Sequence, residues 1–215
     1  MNTLFSHVCV VTMDDRMSVW TDAFVGVTDG KISCLSKHAP EEKPDQIIDA
    51  TGMVLMPGLI NCHTHLPMQL LRGYADDLKL QEWLNDYIFP REDRLDGRCV
   101  RAATTLAVAE CLKFGVTSVS DMYYFCDDIC DVIAKSGMKA NISRGTSMFL
   151  GDDFDFEKFP ACQELVALKE KWHNYDGGRI KIEASIHAEY TSTYQLWDAL
   201  SEFCINEGIG MQVHV

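Results

Sequence analysis

The chain has 215 residues, 47% of them hydrophobic, and a net charge of −13 from 19 basic and 32 acidic side chains. That length holds one large domain, or one domain with a small companion, and supplies enough apolar material for a packed core. The acidic balance argues against nucleic acid or an anionic membrane as partner, and no apolar run approaches the roughly 18 residues of a membrane span. No Lys or Arg precedes an apolar stretch in the first dozen residues, so no secretory leader is expected and a cytoplasmic setting is.

Along the chain, Val8 to Thr12, Ala23 to Val27 and Lys31 to Leu35 alternate apolar and polar residues, with Asp29-Gly30 as a turn signal. This predicts the N-terminal part of a small β-sandwich over residues 1–55. Ile48 to Gly58 then leads through Pro57-Gly58 into Leu59-Ile60-Asn61-Cys62-His63-Thr64-His65, where a second unit, 56–215, begins. Side chains alternate along a strand, so His63 and His65 face one way while Cys62 and Thr64 face the other. Two imidazoles on one face are two ligands for a divalent metal, and a mononuclear catalytic centre takes three protein ligands and leaves a position open.

Beyond that strand, helical and strand patterns alternate at βα spacing. The expected pairs are a helix over Gly97 to Phe114 with the strand Val116 to Asp121, and a helix over Asp127 to Lys135 with the strand Lys139 to Ser143, followed by Arg144. A helix over Ala161 to Trp172 precedes the strand Arg179 to Ile186, which delivers His187; a last helix, Thr193 to Asn206, precedes Gly210 to His214. The fold class is therefore α/β, a (β/α)8 barrel of the TIM type with strands one to five present. In such barrels the site lies at the C-terminal strand ends, where His63, His65, Asp121, Arg144, His187 and His214 all fall. Three more strands would be needed to close the barrel, so the chain reads as an N-terminal fragment, inactive and poorly soluble by itself.

Nine cysteines in no Cys-x2-Cys spacing read as reduced core thiols. His187-Ala188-Glu189 matches the His-x-Glu of a cytidine-deaminase zinc site, but the Pro-Cys-x-x-Cys that such a site needs does not follow.

The Pro57 to His65 run after a small β unit resembles the amidohydrolase superfamily. Within it, His63 to Leu78, Gln81 to Leu84 and Phe89 to Arg94 resemble the 5-methylthioadenosine/S-adenosylhomocysteine deaminases and their chlorohydrolase relatives, as do Asp121-Met122-Tyr123, Ser143-Arg144-Gly145 and His187 to Thr191. The resemblance implies one divalent metal, Zn2+ or else Fe2+, on His63, His65 and His214. It places a further His, an Asp ligand and a proton-shuttling Glu beyond Val215, so the catalytic residues are expected there. His187, where a binuclear branch would carry a carboxylated Lys, favours a single metal. Glu92 would hold ribose hydroxyls, and Arg144 and His187 would line the substrate pocket; no second arginine occurs in Phe154 to Glu157, where the pattern expects one.

Taken without the resemblance, Glu92 would be one charge of a solvated helix start, Arg144 a surface charge and His187 a core histidine, while Asp121 would equally orient an imidazole or cap a loop. The implied reaction is hydrolytic deamination: metal-activated water attacks C6 of an adenosine-type nucleoside and a carboxyl group moves the proton toward departing ammonia. The partner is a small nucleoside, and a homo-oligomer of the whole protein is compatible with it. Guanine deamination, triazine chlorohydrolysis and an inactive truncated product are the alternatives.

Overall fold

A computed structural model describes residues 1–151 and 153–215, which divide into two compact units, Met1–Gly58 and Leu59–Val215. The first is one five-stranded mixed sheet. Strand β1 (Thr3–Val11) pairs antiparallel with β2 (Val19–Thr28), which pairs with β3 (Lys31–Ser36), while β4 (Gln46–Asp49) and β5 (Val54–Leu55) run parallel to β1. Asp29 and Gly30 both take positive φ and link β2 to β3 as a two-residue hairpin loop, the geometry that matches the twist of the flanking strands. Val8, Val10, Ala23, Val25 and Ala50 form its small core.

In the second unit, β6 (Leu59–Thr64), β7 (Val116–Tyr123), β8 (Lys139–Arg144), β9 (Ile180–Ala188) and β10 (Met211–His214) form one all-parallel sheet in chain order. Helices Gly97–Lys113, Cys126–Ser136, Pro160–Trp172 and Tyr194–Glu207 connect successive strands. A parallel pair requires such a crossover, and four consecutive ones, joining five strands, give the strand order of a (β/α) barrel. The predicted pairs are all present, with ends shifted by one or two residues.

Alternation in β9 decides which side faces the helices. Ile180, Ile182, Ala184, Ile186 and Ala188 are buried among apolar neighbours that include Ile129, Ile133, Leu165, Leu196 and Leu200, leaving Glu183 and His187 on the opposite face. Each fully buried Ile or Leu contributes about 1.5–3 kcal/mol relative to exposure. Local signals set the helix ends: Asp96 accepts from Cys99 N at 2.7 Å and caps the first helix, and Gly137 and Gly208, both at positive φ, close the second and the last.

Asp96→Ala removes that cap and should cost about 1 kcal/mol, read as a lower midpoint in denaturant unfolding with an unchanged slope. A midpoint unmoved by the substitution would mean that packing alone fixes the start of this helix.

Candidate metal centre

His63 is the fifth residue of β6 and His65 follows its last, at φ −131° and ψ 74°. The ladder between β6 and β7 is irregular between Asn61 and Thr64, so the strict two-residue period does not by itself deliver both rings. They meet nevertheless: His63 Nε2 and His65 Nε2 stand 3.2 Å apart, and with His214 from β10 they form a group whose ligand atoms all lie within 4.8 Å of one another. Donors about 2.0–2.1 Å from a tetrahedral zinc sit roughly 3.3 Å apart, so the first separation already fits.

Second partners fix the chemistry of two of the rings. His65 Nδ1 donates to Met122 O at 2.6 Å and His214 Nδ1 donates to His187 O at 2.6 Å. In a neutral imidazole the remaining nitrogen then carries a lone pair, and burial holds His65 below the ordinary histidine pKa, so it stays neutral. With Nδ1 of His65 and His214 engaged by carbonyls, the ligand atoms that converge here could hold one divalent cation.

Asp121, fully buried on β7, anchors the loop that presents His65. Its Oδ1 accepts from Thr64 Oγ1 at 2.9 Å and from Leu66 N at 2.6 Å, the residues on either side of that histidine. Of the two roles open to Asp121, these bonds are those of a loop cap: it acts through the backbone on either side of His65 and touches no imidazole. Its Oδ2 is buried without a hydrogen-bond partner among the described residues, and burial pushes the carboxyl up to about 7.

The three residues expected to line a pocket are placed differently from one another. Glu92 and Arg144 border a cleft of about 950 Å³ whose walls include Phe89, Leu95, Tyr124 and Phe149. Glu92 ends the helical segment 80–92, which contains a π-helical stretch at Trp83–Ile88, and is half-buried rather than solvated. Burial raises its pKa; the Tyr123 hydroxyl opposes the shift without completing a well-formed hydrogen bond. Tyr123 has no role assigned from the sequence; its signals there are its place at the end of β7 and in the Asp121-Met122-Tyr123 run that resembles the family.

His187 lies beside the cleft rather than in its wall. Its ring is 5.4 Å from that of His214 and 6.4 Å from that of Phe89, between the histidine group and the cleft. Thr191 Oγ1 accepts from Ala188 N at 3.1 Å and lies 3.0 Å from His187 Nδ1, so Nδ1 is engaged and Nε2 is the ring nitrogen left for a ligand.

A parallel sheet of barrel order with imidazoles gathered at its C-terminal strand ends defines a (β/α)-barrel protein with a candidate metal centre. The chain belongs to the amidohydrolase family, which matches residues 54–215. It is 36% identical to a 5'-deoxyadenosine deaminase of Methanosarcina acetivorans over 99% of this chain and 48% of that protein. It is 34% identical to a 5-methylthioadenosine/S-adenosylhomocysteine deaminase of Pelotomaculum thermopropionicum, over 100% of this chain and 49% of the relative. Among solved structures it resembles an adenosine deaminase from Xanthomonas campestris with bound zinc, at TM-score 0.88 and 28% identity, covering all of this chain and 49% of that one. The chain therefore spans about half the length of the curated relatives it matches. Among the described residues no helix is long and apolar enough to cross a membrane.

The raised pKa of Asp121 gives a testable pH dependence. An acid whose folded pKa lies above its unfolded value contributes stability that is full below about 3.8 and is lost as pH rises through about 7. Asp121→Asn keeps an oxygen for both donors and cannot ionise. With a chelator present, its melting temperature should match the parent at pH 4 and exceed it at pH 8. Equal melting temperatures at both values would show that Asp121 ionises without cost.

Proposed function

We propose that the protein acts in metal-dependent hydrolytic deamination of an adenosine-type nucleoside, giving the inosine analogue and ammonia. The convergence of three imidazoles, two of them held by carbonyls through Nδ1, carries this reading. The adenosine-type deaminases among its relatives support it. His63, His65 and His214 would hold one divalent ion; imidazole suits zinc and ferrous iron alike, and the zinc in the Xanthomonas enzyme favours zinc here. When bound, the ion supplies Lewis acidity that makes water a nucleophile at neutral pH.

The other residues position the nucleoside. Glu92, an acceptor-only carboxylate when ionised, takes both ribose hydroxyls and so aims the amine-bearing carbon at the histidines. Ionising that carboxyl in a half-buried place is unfavourable, and two hydroxyl donors from the ribose would offset the cost. His187, held neutral below the ordinary histidine pKa by burial, accepts from the exocyclic amine through Nε2. Phe89, Leu95 and Phe149 exclude water from the base and sugar, which strengthens each polar contact.

His63→Ala should weaken zinc binding more than about a hundredfold, since loss of an outer partner alone costs 10–100-fold. The same substitution should lower deamination by the whole protein by several orders of magnitude. Competition with a chromophoric chelator reads the first and ammonia release the second; zinc binding at parental strength would remove His63 from the ligand set.

Glu92→Gln should raise KM far more than it lowers kcat, because the ribose is remote from the reacting carbon. It should also raise the melting temperature at pH 7 while leaving it unchanged at pH 4, as removal of a carboxyl with a raised folded pKa requires. An activity panel of adenosine analogues, guanine and triazines tests the substrate class: turnover confined to guanine or a triazine overturns the reading.

A further inference from the structure

The cleft next to the histidines has an unusual charge arrangement. Among its described lining residues, carboxylates outnumber cations five to two, and both cations are already engaged. Lys171 Nζ is 2.6 Å from Asp127 Oδ1. Arg144 is more firmly committed: its Nε pairs with Glu164 Oε2, its Nη1 donates to Gly145 O, and its guanidinium stacks over Tyr124 at 4.8 Å. The Arg144 side chain is only 17% exposed, whereas that of Glu164 is 52% exposed, so the acid closes the outer side of a largely buried base.

These partners matter because the relatives' names divide by the group at the 5' position. 5'-Deoxyadenosine and 5-methylthioadenosine carry an uncharged one; S-adenosylhomocysteine carries an amino acid with a carboxylate. Size does not separate them here, since about 950 Å³ lies at the upper end of ordinary ligand cavities. Charge does. A carboxylate brought into the cleft meets a net negative lining in which each cation among the described residues is already paired with a carboxylate, and a buried charge without a partner is costly. The ammonium of the same amino acid would find acidic neighbours, but that leaves the carboxylate unpaired.

We propose that this cleft selects nucleosides with an uncharged 5' substituent over those ending in a carboxylate, and that Glu164 imposes the selection by occupying Arg144. The proposal rests on the deaminase reading above. With the base at the histidines and the ribose on Glu92, the 5' group extends toward Arg144 and the apolar Phe149 and Leu168, where a methyl or methylthio group is well accommodated. Glu164 comes from the helix Pro160–Trp172 and Arg144 from the end of β8, so the specificity lies in one contact between a strand end and the next helix.

The test compares 5'-methylthioadenosine with S-adenosylhomocysteine in the whole, zinc-loaded protein and its Glu164→Gln variant. A hydrogen bond to a charged group is worth about 1.5–3 kcal/mol, roughly ten- to hundredfold. The parent should therefore favour 5'-methylthioadenosine by at least about tenfold in kcat/KM. Glu164→Gln removes the charge that neutralises Arg144 and should raise the ratio of S-adenosylhomocysteine to 5'-methylthioadenosine by a similar factor, mainly through KM. Equilibrium dialysis of both ligands against metal-free protein should move in the same sense, and Glu164→Ala, at this half-exposed helix position, guards against an effect peculiar to glutamine. Equal use of both nucleosides by the parent, or a ratio unmoved in both variants, overturns this proposal while leaving the deaminase reading intact. Absence of turnover on every adenosine-type nucleoside, with turnover of guanine or a triazine, overturns both.

Discussion

Two hydrogen bonds, from His65 Nδ1 to Met122 O and from His214 Nδ1 to His187 O, are the contacts on which the convergence of the three histidines depends. Each ties an imidazole to the backbone at the C-terminal end of a neighbouring strand. The carbonyl fixes the tautomer, and the tautomer leaves Nε2 as the free lone pair. Because the carbonyls belong to β7 and β9, the direction of each lone pair is set by strand register. A slip of one residue in either ladder would turn the carbonyl away and the histidine to the helix side.

Carboxyl groups around the centre show how the fold trades stability for placement. Asp121 is buried with one oxygen doing all the bonding, to Thr64 and Leu66, and the other without a partner among the described residues. An apolar residue there would avoid that cost but would release the segment that follows β6. Glu92 is held half-buried near a buried tyrosine at a pKa raised by desolvation. Perturbed groups of this kind cluster where proteins bind ligands, because a ligand can supply the partner that the fold withholds.

Charge and shape have separate roles in the cleft. Its aromatic and aliphatic walls suit a base and a sugar, while its ionic residues are mostly paired among themselves: Arg144 with Glu164, Lys171 with Asp127, Asp128 with Arg101. Such pairs lower the field in the cavity and decide which charges a ligand may bring.

Much of this was legible in the sequence. The βα alternation gave four helices and five parallel strands, because amphipathic periods and Gly or Asp at helix ends are local properties. Counting strands placed His214 at the end of the fifth, and the resemblance of the His63 to His65 run to a known family implied three histidine ligands, which the fold brings within 4.8 Å of one another. Three features required the tertiary structure. His65 lies past the end of its strand, and two partners distant in sequence hold it in place: Met122 O on its ring, and Asp121, 55 residues from Leu66, on the backbone that follows it. Glu92 sits in a run of charges that reads as solvated, and its burial comes from packing that no local pattern encodes. Arg144 and Glu164 are 20 residues apart on different elements, so their pairing follows from where a helix falls on the sheet. Local sequence determines which elements form and which face each presents; which charges meet depends on distances between elements, and only the folded chain decides those.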